Sequence, residues 1–193
     1  HMPTPNPQAL DFLLTRRSRP AKTLAEPVPD RATLETLLTA AARTPDHGKL
    51  EPWRFIILGK GAMPRLADVA QARGIALGLD DEQIAKGRGQ FDQGHLAVAV
   101  IEVQKPSPKI PLLEQTYSAG AVCLALVNAA LAAGWGANWL SGWPSHDRGF
   151  MQSALGLADH ERIAGLIHIG TETSAPPERP RPDIAALSTW VDT

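Results

Sequence analysis

Cysteine is nearly absent from this chain, since Cys123 is the only one in 193 residues. A single cysteine excludes an internal disulfide and any metal site built from several cysteines, and it favours a reducing cytoplasm as the expected location. Cys123 lies in an apolar run, where a small buried residue is expected rather than a nucleophile. The sequence also lacks a His-Glu-x-x-His pair or comparable ligand spacing, so no metal site is expected.

An excess of charge of either sign is absent too. The 19 Lys and Arg residues oppose 20 Asp and Glu residues, which leaves a formal net charge of -1. Such a balance provides no broad field for nucleic acid or an anionic membrane, so a small-molecule partner is expected. The chain shows no secretory signal pattern, and His1 and Met2 are interpreted as a cloning remnant. One domain over residues 3–193 is predicted, since this length suits a single core.

Long uninterrupted hydrophobic runs are also missing. The stretch from Glu114 to Asp147 carries no Asp, Glu, Lys or Arg between its ends, but its continuous apolar part, 119–133, contains Gly120 and Asn128. This part is shorter than the roughly 20 apolar residues that a membrane-spanning helix requires. We therefore predict a helix over 114–133 that is buried on all sides. A small domain seldom covers a helix completely, so burial in a subunit interface is the expected arrangement.

The remaining patterns predict helices first and then strands separated by helices. Asp30 is a candidate N-cap for a helix that ends near Thr44, before Pro45. Trp53–Leu58 has the aromatic and β-branched content of a strand, and Leu96–Val103 is apolar enough for a strand covered on both faces. Further helices are predicted at 9–16, 62–73, 80–91 and 147–156, further strands at 137–140 and 163–169, and an extended proline-rich tail at 173–182. This order favours an α+β fold with helices packed against a mixed sheet.

Three segments are candidates for a functional site. In the run 16–19, three arginines and Ser18 suit a phosphate, because a guanidinium matches a pair of phosphate oxygens. A solvated basic end of a short helix is the alternative. In the segment 43–47, Pro45 ends a helix and leaves Arg43 and His47 able to face one ligand. A serine-hydrolase interpretation lacks the Gly-x-Ser-x-Gly context.

The third segment is 138–143, where Trp139 and Trp143 flank Ser141 and Gly142 at the end of a predicted strand. Rings beside a glycine can form a slot for a flat aromatic ligand, because the backbone can approach closely where no side chain intervenes. The alternative is that both tryptophans are ordinary core residues.

Taken together, these segments resemble the FMN-dependent nitroreductase family, in particular its short, YdjA-like branch. The resemblance is carried by the basic run 16–19, the segment 43–47 followed by Pro52-Trp53, the apolar helix, the glycine turn before Trp139, and Ile169-Gly170-Thr171. It covers almost the whole chain in the same order. No single one of these elements is specific, but all five occur in register.

The resemblance implies an obligate homodimer with two FMN sites at the interface, in which the apolar helix packs against its mate. It implies that Arg16, Arg17 and Ser18 of one subunit bind FMN and that Arg43 and His47 come from the partner subunit. Trp139, Leu140 and Ser141 match the flavin-contacting segment, although relatives often carry a basic side chain where this chain has Leu140. The C-terminal phosphate ligand of the family corresponds to Arg181, with Arg179 as the second choice.

The implied activity is ping-pong transfer of a hydride from NADH or NADPH through flavin N5 to a nitroaromatic, a quinone or a similar electron-poor acceptor. The flavin carries this chemistry, so no catalytic side chain is expected. Two alternatives stay open: a non-catalytic flavin-binding or storage dimer, and a related flavin enzyme that performs dehalogenation, dehydrogenation or flavin fragmentation on the same scaffold.

Overall fold

The computed structural model describes residues 2–193. His1, which we interpret together with Met2 as a cloning remnant, lies outside the described residues. The helices are α1 (Pro7–Thr15), α2 (Arg31–Ala41), α3 (Met63–Ala76), α4 (Asp81–Asp92), α5 (Leu112–Ala132), α6 (Arg148–Leu155) and α7 (Ile184–Leu187). The strands are β1 (Leu24–Ala25), β2 (Trp53–Gly59), β3 (Leu96–Val103), β4 (Gly136–Leu140) and β5 (Glu161–Glu172). The sequence did not predict the short elements β1 and α7.

One sheet forms the centre of the fold. The long strand β5 pairs with β3 along one side and with β4 and β1 along the other, and β2 pairs with β3. Every strand pair within residues 2–193 is antiparallel. The α+β prediction is therefore confirmed, and the mixed sheet is wrong. The reason is that α3 and α4 pack against each other as a hairpin, so Leu96 at the start of β3 lies opposite Gly59 at the end of β2.

Helices cover both faces of the sheet. Val98 and Val100 of β3 face a core shared with α2 and α5, while Ala99 and Ile101 face a second core shared with α3 and α6. Successive side chains of a strand point to opposite faces, so β3 has to be apolar throughout. This confirms the interpretation of 96–103 as a strand covered on both sides.

The start of α2 follows the predicted signal. The carboxylate of Asp30 accepts a hydrogen bond from the Thr33 N–H at 2.8 Å, which satisfies one of the free donors of the first turn. The helix ends at Ala41, three residues before Thr44. It stops early because the Thr44 hydroxyl donates to the Ala41 carbonyl at 2.9 Å and turns the chain.

Helix α5 is long and apolar enough to span a bilayer by composition, with a mean hydropathy of 1.3 in its most apolar window, and 44% of that window is buried. The expectation of burial on all sides is wrong within one chain. Val122, Leu126 and Ala130 pack on the sheet, whereas a stripe of apolar residues on another face is exposed. This exposed stripe consists of Leu113, Tyr117, Ala121 and Leu124.

Candidate functional site

The basic run lies against the edge of the sheet. Helix α1 ends at Thr15, and Arg16 takes an extended conformation. Three residues later the Arg19 N–H donates to the Ala137 carbonyl at 2.9 Å, which fixes the run beside the start of β4. The Arg19 guanidinium forms an ion pair with Glu172 at 2.9 Å. Arg19 is thereby neutralised, although the Arg19–Glu172 pair lines the same cavity as Arg16 and Arg17.

Positive charge is concentrated around Arg16. Its Nη2 donates to Ser18 Oγ at 3.3 Å, and its Nε is buried with no hydrogen-bond partner among residues 2–193. Burial, and then the charges of Arg181 and Arg17, lower the pKa of the Arg16 guanidinium. Arginine nevertheless keeps its proton in proteins, so an anion bound here would offset the repulsion. A buried donor without a partner is costly, and this cluster therefore suits a phosphate group.

The C-terminal tail completes the cluster. Arg17 Nε and Nη2 donate to the Pro177 carbonyl, each at 3.4 Å, and Arg181 Nη2 pairs with Glu178 Oε1 at 2.9 Å. The Arg179 side chain makes no hydrogen bond or ion pair within the described part of the chain, residues 2–193. The structure thus brings Arg181, the first choice among the tail arginines, to Arg16 and Arg17. The predicted extended course of 173–182 agrees with the observed tail.

The segment after the glycine turn forms the open edge of the sheet. The Ala137 carbonyl points away from β5 and accepts from Arg19. In an antiparallel strand, residues two apart direct their backbone N–H and C=O groups to the same side. The Trp139 N–H and C=O therefore also point to the open edge of β4, away from β5. The Trp139 ring packs over Gly165 and towards Gly120 of α5, and the residue is 41% exposed. Leu140 points to the opposite face of the sheet, where it lines a cavity.

Ser141 follows β4, and its Oγ lies 3.4 Å from His146 Nε2. His47 instead contacts Glu114, so no hydrogen bond joins Ser141 to His47 within residues 2–193. From the basic run to Ser141, β4 spans five residues, or about 15 Å. This edge suits an elongated ligand with an anionic group at the Arg16 end.

Trp143 belongs to the core. Its ring fills the space left by Gly74 on α3 and Gly87 on α4, where a Cβ atom at either glycine would collide with α4 or with the ring. Its Nε1 donates to the Gln83 carbonyl at 2.8 Å. Of the two interpretations of Trp143, the packing role is the one that the structure supports, and this packing fixes α4 beside the loop after β4.

Arg43 and His47 lie at the other end of α5. The loop that carries them is held on α5 by Ser118, whose hydroxyl donates to the Pro45 carbonyl at 2.8 Å and accepts from Trp53 Nε1 at 3.1 Å. His47 Nδ1 lies 3.1 Å from Glu114 Oε2, in the first turn of α5.

The two groups of predicted site residues are therefore far apart in one chain. Arg16 and Arg17 line a cavity of about 310 Å³ together with Leu131 and Gly134, at the C-terminal end of α5. Since α5 has 21 residues, about 30 Å separate its two ends. A single chain brings Arg16, Arg17, Ser18 and Arg181 together, but it does not bring Arg43 and His47 to them.

A further cavity of about 570 Å³ lies on the face of the sheet opposite α5, between α4, the open edge of β4 and residues 20–22. Its lining includes Gln90, Asn138 and His168. Asn138 belongs to the candidate segment 138–143 but was not among the residues expected to contact FMN, and Gln90 and His168 lie outside the candidate segments. A signal existed, since Asn138 and His168 are polar interruptions of otherwise apolar strands. Gln90 carries no such signal, because it lies on a polar helix.

Comparison with known proteins identifies the family. The model of the nitroreductase family matches residues 13–171. YdjA of Escherichia coli (strain K12), which bears the provisional name of an NAD(P)H nitroreductase, is 34% identical over 163 residues, covering 84% of this chain and 87% of YdjA. A Haemophilus influenzae protein with the same provisional name is 33% identical over 165 residues, covering 84% and 88%.

Solved structures show the same fold. A nitroreductase-like family protein from Bacillus cereus superposes with a TM-score of 0.81 at 24% identity over 100% of both chains. A Desulfovibrio desulfuricans protein with the provisional name of a nitroreductase, solved in complex with FMN, superposes with a TM-score of 0.75 at 17% identity, covering 98% and 99%. The chain thus has an α+β fold with a cluster of arginines at the edge of its sheet. It belongs to the nitroreductase family, which confirms the resemblance and the oxidoreductase class.

Proposed function

We propose that this protein is an FMN-dependent NAD(P)H oxidoreductase that reduces nitroaromatics, quinones or similar electron-poor acceptors. The observation that carries the proposal is the cluster of Arg16, Arg17 and Arg181 around one buried, unpartnered guanidinium nitrogen. Such a cluster suits the phosphate of a mononucleotide. The NAD(P)H nitroreductase names of the relatives support the nicotinamide donor, and the FMN complex of the Desulfovibrio protein supports the flavin.

Different site residues contact different parts of the proposed ligand. Arg16, Arg17, Ser18 and Arg181 hold the phosphate, and the flavin ring lies along the open edge of β4 near Trp139, Leu140 and Ser141. The backbone N–H of Trp139 is a free donor at that edge. Leu140 replaces the basic residue common among relatives, so its side chain contributes no polar contact. When bound, the flavin supplies hydride transfer between nicotinamide and acceptor, and the protein supplies position and charge.

The proposed assembly is a homodimer formed through the exposed stripe of α5. Leu113, Tyr117 and Leu124 are 59%, 65% and 46% exposed in one chain, which is unusual for neighbouring large apolar side chains on one helix face. A two-fold axis across this stripe packs the two α5 helices antiparallel. The N-terminal end of one α5 then lies beside the C-terminal end of the other. Arg43 and His47 of one subunit thereby approach the Arg16 cluster of the partner.

Spectroscopy of the purified protein tests the proposal. The expected result is a yellow dimer whose absorption near 450 nm, roughly the flavin maximum, bleaches on anaerobic titration with NADH or NADPH and returns on addition of a nitroaromatic or a quinone. A colourless protein that does not take up added FMN would overturn the proposal. Colour without bleaching would contradict the catalytic part and favour a storage dimer. The cytoplasm remains our proposal for its location.

A further inference from the structure

Three buried polar atoms around the cavity beside β4 lack hydrogen-bond partners. They are Asn138 Oδ1, Gln90 Oε1 and His168 Nε2, and none of them has a partner anywhere in residues 2–193. All three residues line the same cavity of about 570 Å³. Buried polar atoms in folded proteins are nearly always hydrogen-bonded, so three exceptions around one cavity indicate a ligand.

The three side chains come from three elements that the fold brings together. Asn138 on β4 and His168 on β5 are directly opposed in the antiparallel pair, so both point to the same face of the sheet. Gln90 reaches them from α4, where its amide rests against Gly142. A side chain at 142 would displace this amide, which explains why the position suits glycine. The trio is therefore built into the scaffold rather than carried on a mobile loop.

The chemistry of the trio is neutral. Two carboxamides each offer one acceptor and two donors, and an imidazole offers one of each. Burial lowers the pKa of His168 to about 4, and the residue is only 4% exposed, so the imidazole is uncharged at neutral pH. Charged groups, including Lys22 and Lys86, lie at the rim of the cavity. The floor thus suits an uncharged planar group that alternates donors and acceptors.

We propose that Gln90, Asn138 and His168 recognise a cyclic imide edge, a carbonyl–N–H–carbonyl array, and that the group bound there is the pyrimidine ring of the flavin. The amide oxygens accept from the ring N3–H, and the remaining donors satisfy the two flanking carbonyl oxygens. This inference rests on the proposed function, because it places the ring half of the mononucleotide whose phosphate the Arg16 cluster holds. It assigns three positioning residues that are not among those which the resemblance implies for FMN.

Flavins without a phosphate group test recognition of the ring separately from the Arg16 cluster. Binding of lumiflavin and of 3-methyllumiflavin, whose N3 carries a methyl group in place of the hydrogen, is measured by fluorescence quenching on the full-length protein freed of bound flavin. Wild type is expected to prefer lumiflavin about tenfold, because the methyl group leaves buried acceptors unpaired. The isosteric variants Asn138→Leu and Gln90→Met are expected to lose most of this preference. Gln152→Met, on the exposed surface of α6, is the matched control and keeps it.

The stability of the ligand-free protein provides a second readout. Removal of a buried, unpartnered polar atom without change of shape is neutral or stabilising, so the Tm of both isosteric variants is expected to stay or rise while ring recognition falls. A purely structural role predicts a lower Tm and unchanged discrimination. Equal affinity of wild type for the two lumiflavins, with FMN still bound, would overturn this inference and leave the proposed function intact. Failure of wild type to bind FMN itself would instead overturn the proposed function.

Discussion

His47 and Arg16 lie at opposite ends of helix α5. His47 contacts Glu114 in its first turn, with 3.1 Å between Nδ1 and Oε2, whereas Arg16 lines a cavity with Leu131 in its last turn. One chain therefore contains both halves of the proposed site but cannot join them. In the proposed dimer, an antiparallel pair of α5 helices brings the Arg16 half of each subunit to the His47 half of its partner.

Subunit complementation is the direct test of this arrangement. Arg16→Ala and His47→Ala homodimers are each expected to be defective at both sites, whereas a mixed dimer contains one intact site. We expect co-expressed, differently tagged heterodimers to regain roughly half of the wild-type flavin content and NAD(P)H turnover per dimer. If the heterodimer is no better than the two parents, the two residues do not act in one shared site.

The phosphate end is tested by single substitutions. Arg16→Ala is expected to weaken FMN binding by at least about tenfold, since removal of one partner of a buried charged hydrogen bond commonly costs about 2–5 kcal/mol. Arg181→Ala is expected to weaken binding less, because the Arg181 side chain is half exposed. Equilibrium titration of the flavin-free protein with FMN provides the affinity. Arg179→Ala is the matched control, and we expect it to bind like wild type. Equal affinity of all three variants would contradict the assigned cluster.

The exposed stripe of α5 is expected to hold the dimer together. Leu124→Lys places a charge in the proposed interface, so we predict a monomer by analytical ultracentrifugation and, because the site is shared, loss of bound flavin. Ile75→Lys, at an exposed apolar position on α3, is the control and should leave the dimer intact. A dimeric Leu124→Lys protein with full flavin would place the interface elsewhere.

Acid stability is predicted from the link between α3 and α6. Arg73 Nε and Nη2 bind the Asp147 carboxylate at 2.7 and 3.1 Å, and Asp147 also caps α6 through the Phe150 N–H at 2.8 Å. The hydrogen bond from Arg73 is the main cause that lowers the pKa of Asp147. A lowered pKa in the folded state means that this stability is present above the unfolded pKa, near 4, and is lost as the pH falls through the folded value.

Asp147→Ala is accordingly expected to reduce the free energy of unfolding at pH 7 by at least about 1 kcal/mol through the lost cap alone. Urea unfolding at several pH values should show this difference shrinking below about pH 4. Asp159→Ala, at an exposed position, is the comparison. A difference that does not depend on pH would remove the carboxylate charge from the explanation.

Cys123 is predicted to be chemically silent in the folded protein. Burial raises the pKa of its thiol to about 12, so the reactive thiolate is scarce. We expect no reaction with a disulfide reagent at pH 8 in the native state and complete reaction in denaturant. Rapid native labelling would show that the core around α5 opens.

Local patterns in the sequence were sufficient for most of the secondary structure. Asp30 marks the start of α2, and the uninterrupted apolar residues of β3 indicate a strand covered on both faces, because capping and periodicity act over a few residues. The grouping of Arg16, Arg17 and Ser18 was visible for the same reason. The antiparallel direction of the strands was not visible in these patterns, because it depends on how the α3–α4 hairpin returns the chain beside β2.

The sequence by itself determined which chemistry the chain carries: a local arginine cluster, a single thiol in an apolar run, and a long apolar helix. Only the tertiary structure decided which of these groups meet. It neutralises Arg19 with Glu172, brings Arg181 to Arg16, and sets Asn138 opposite His168 above Gln90. Each of these relationships joins residues that are distant in the chain, and such contacts follow from sheet register and helix packing, which short-range patterns do not encode.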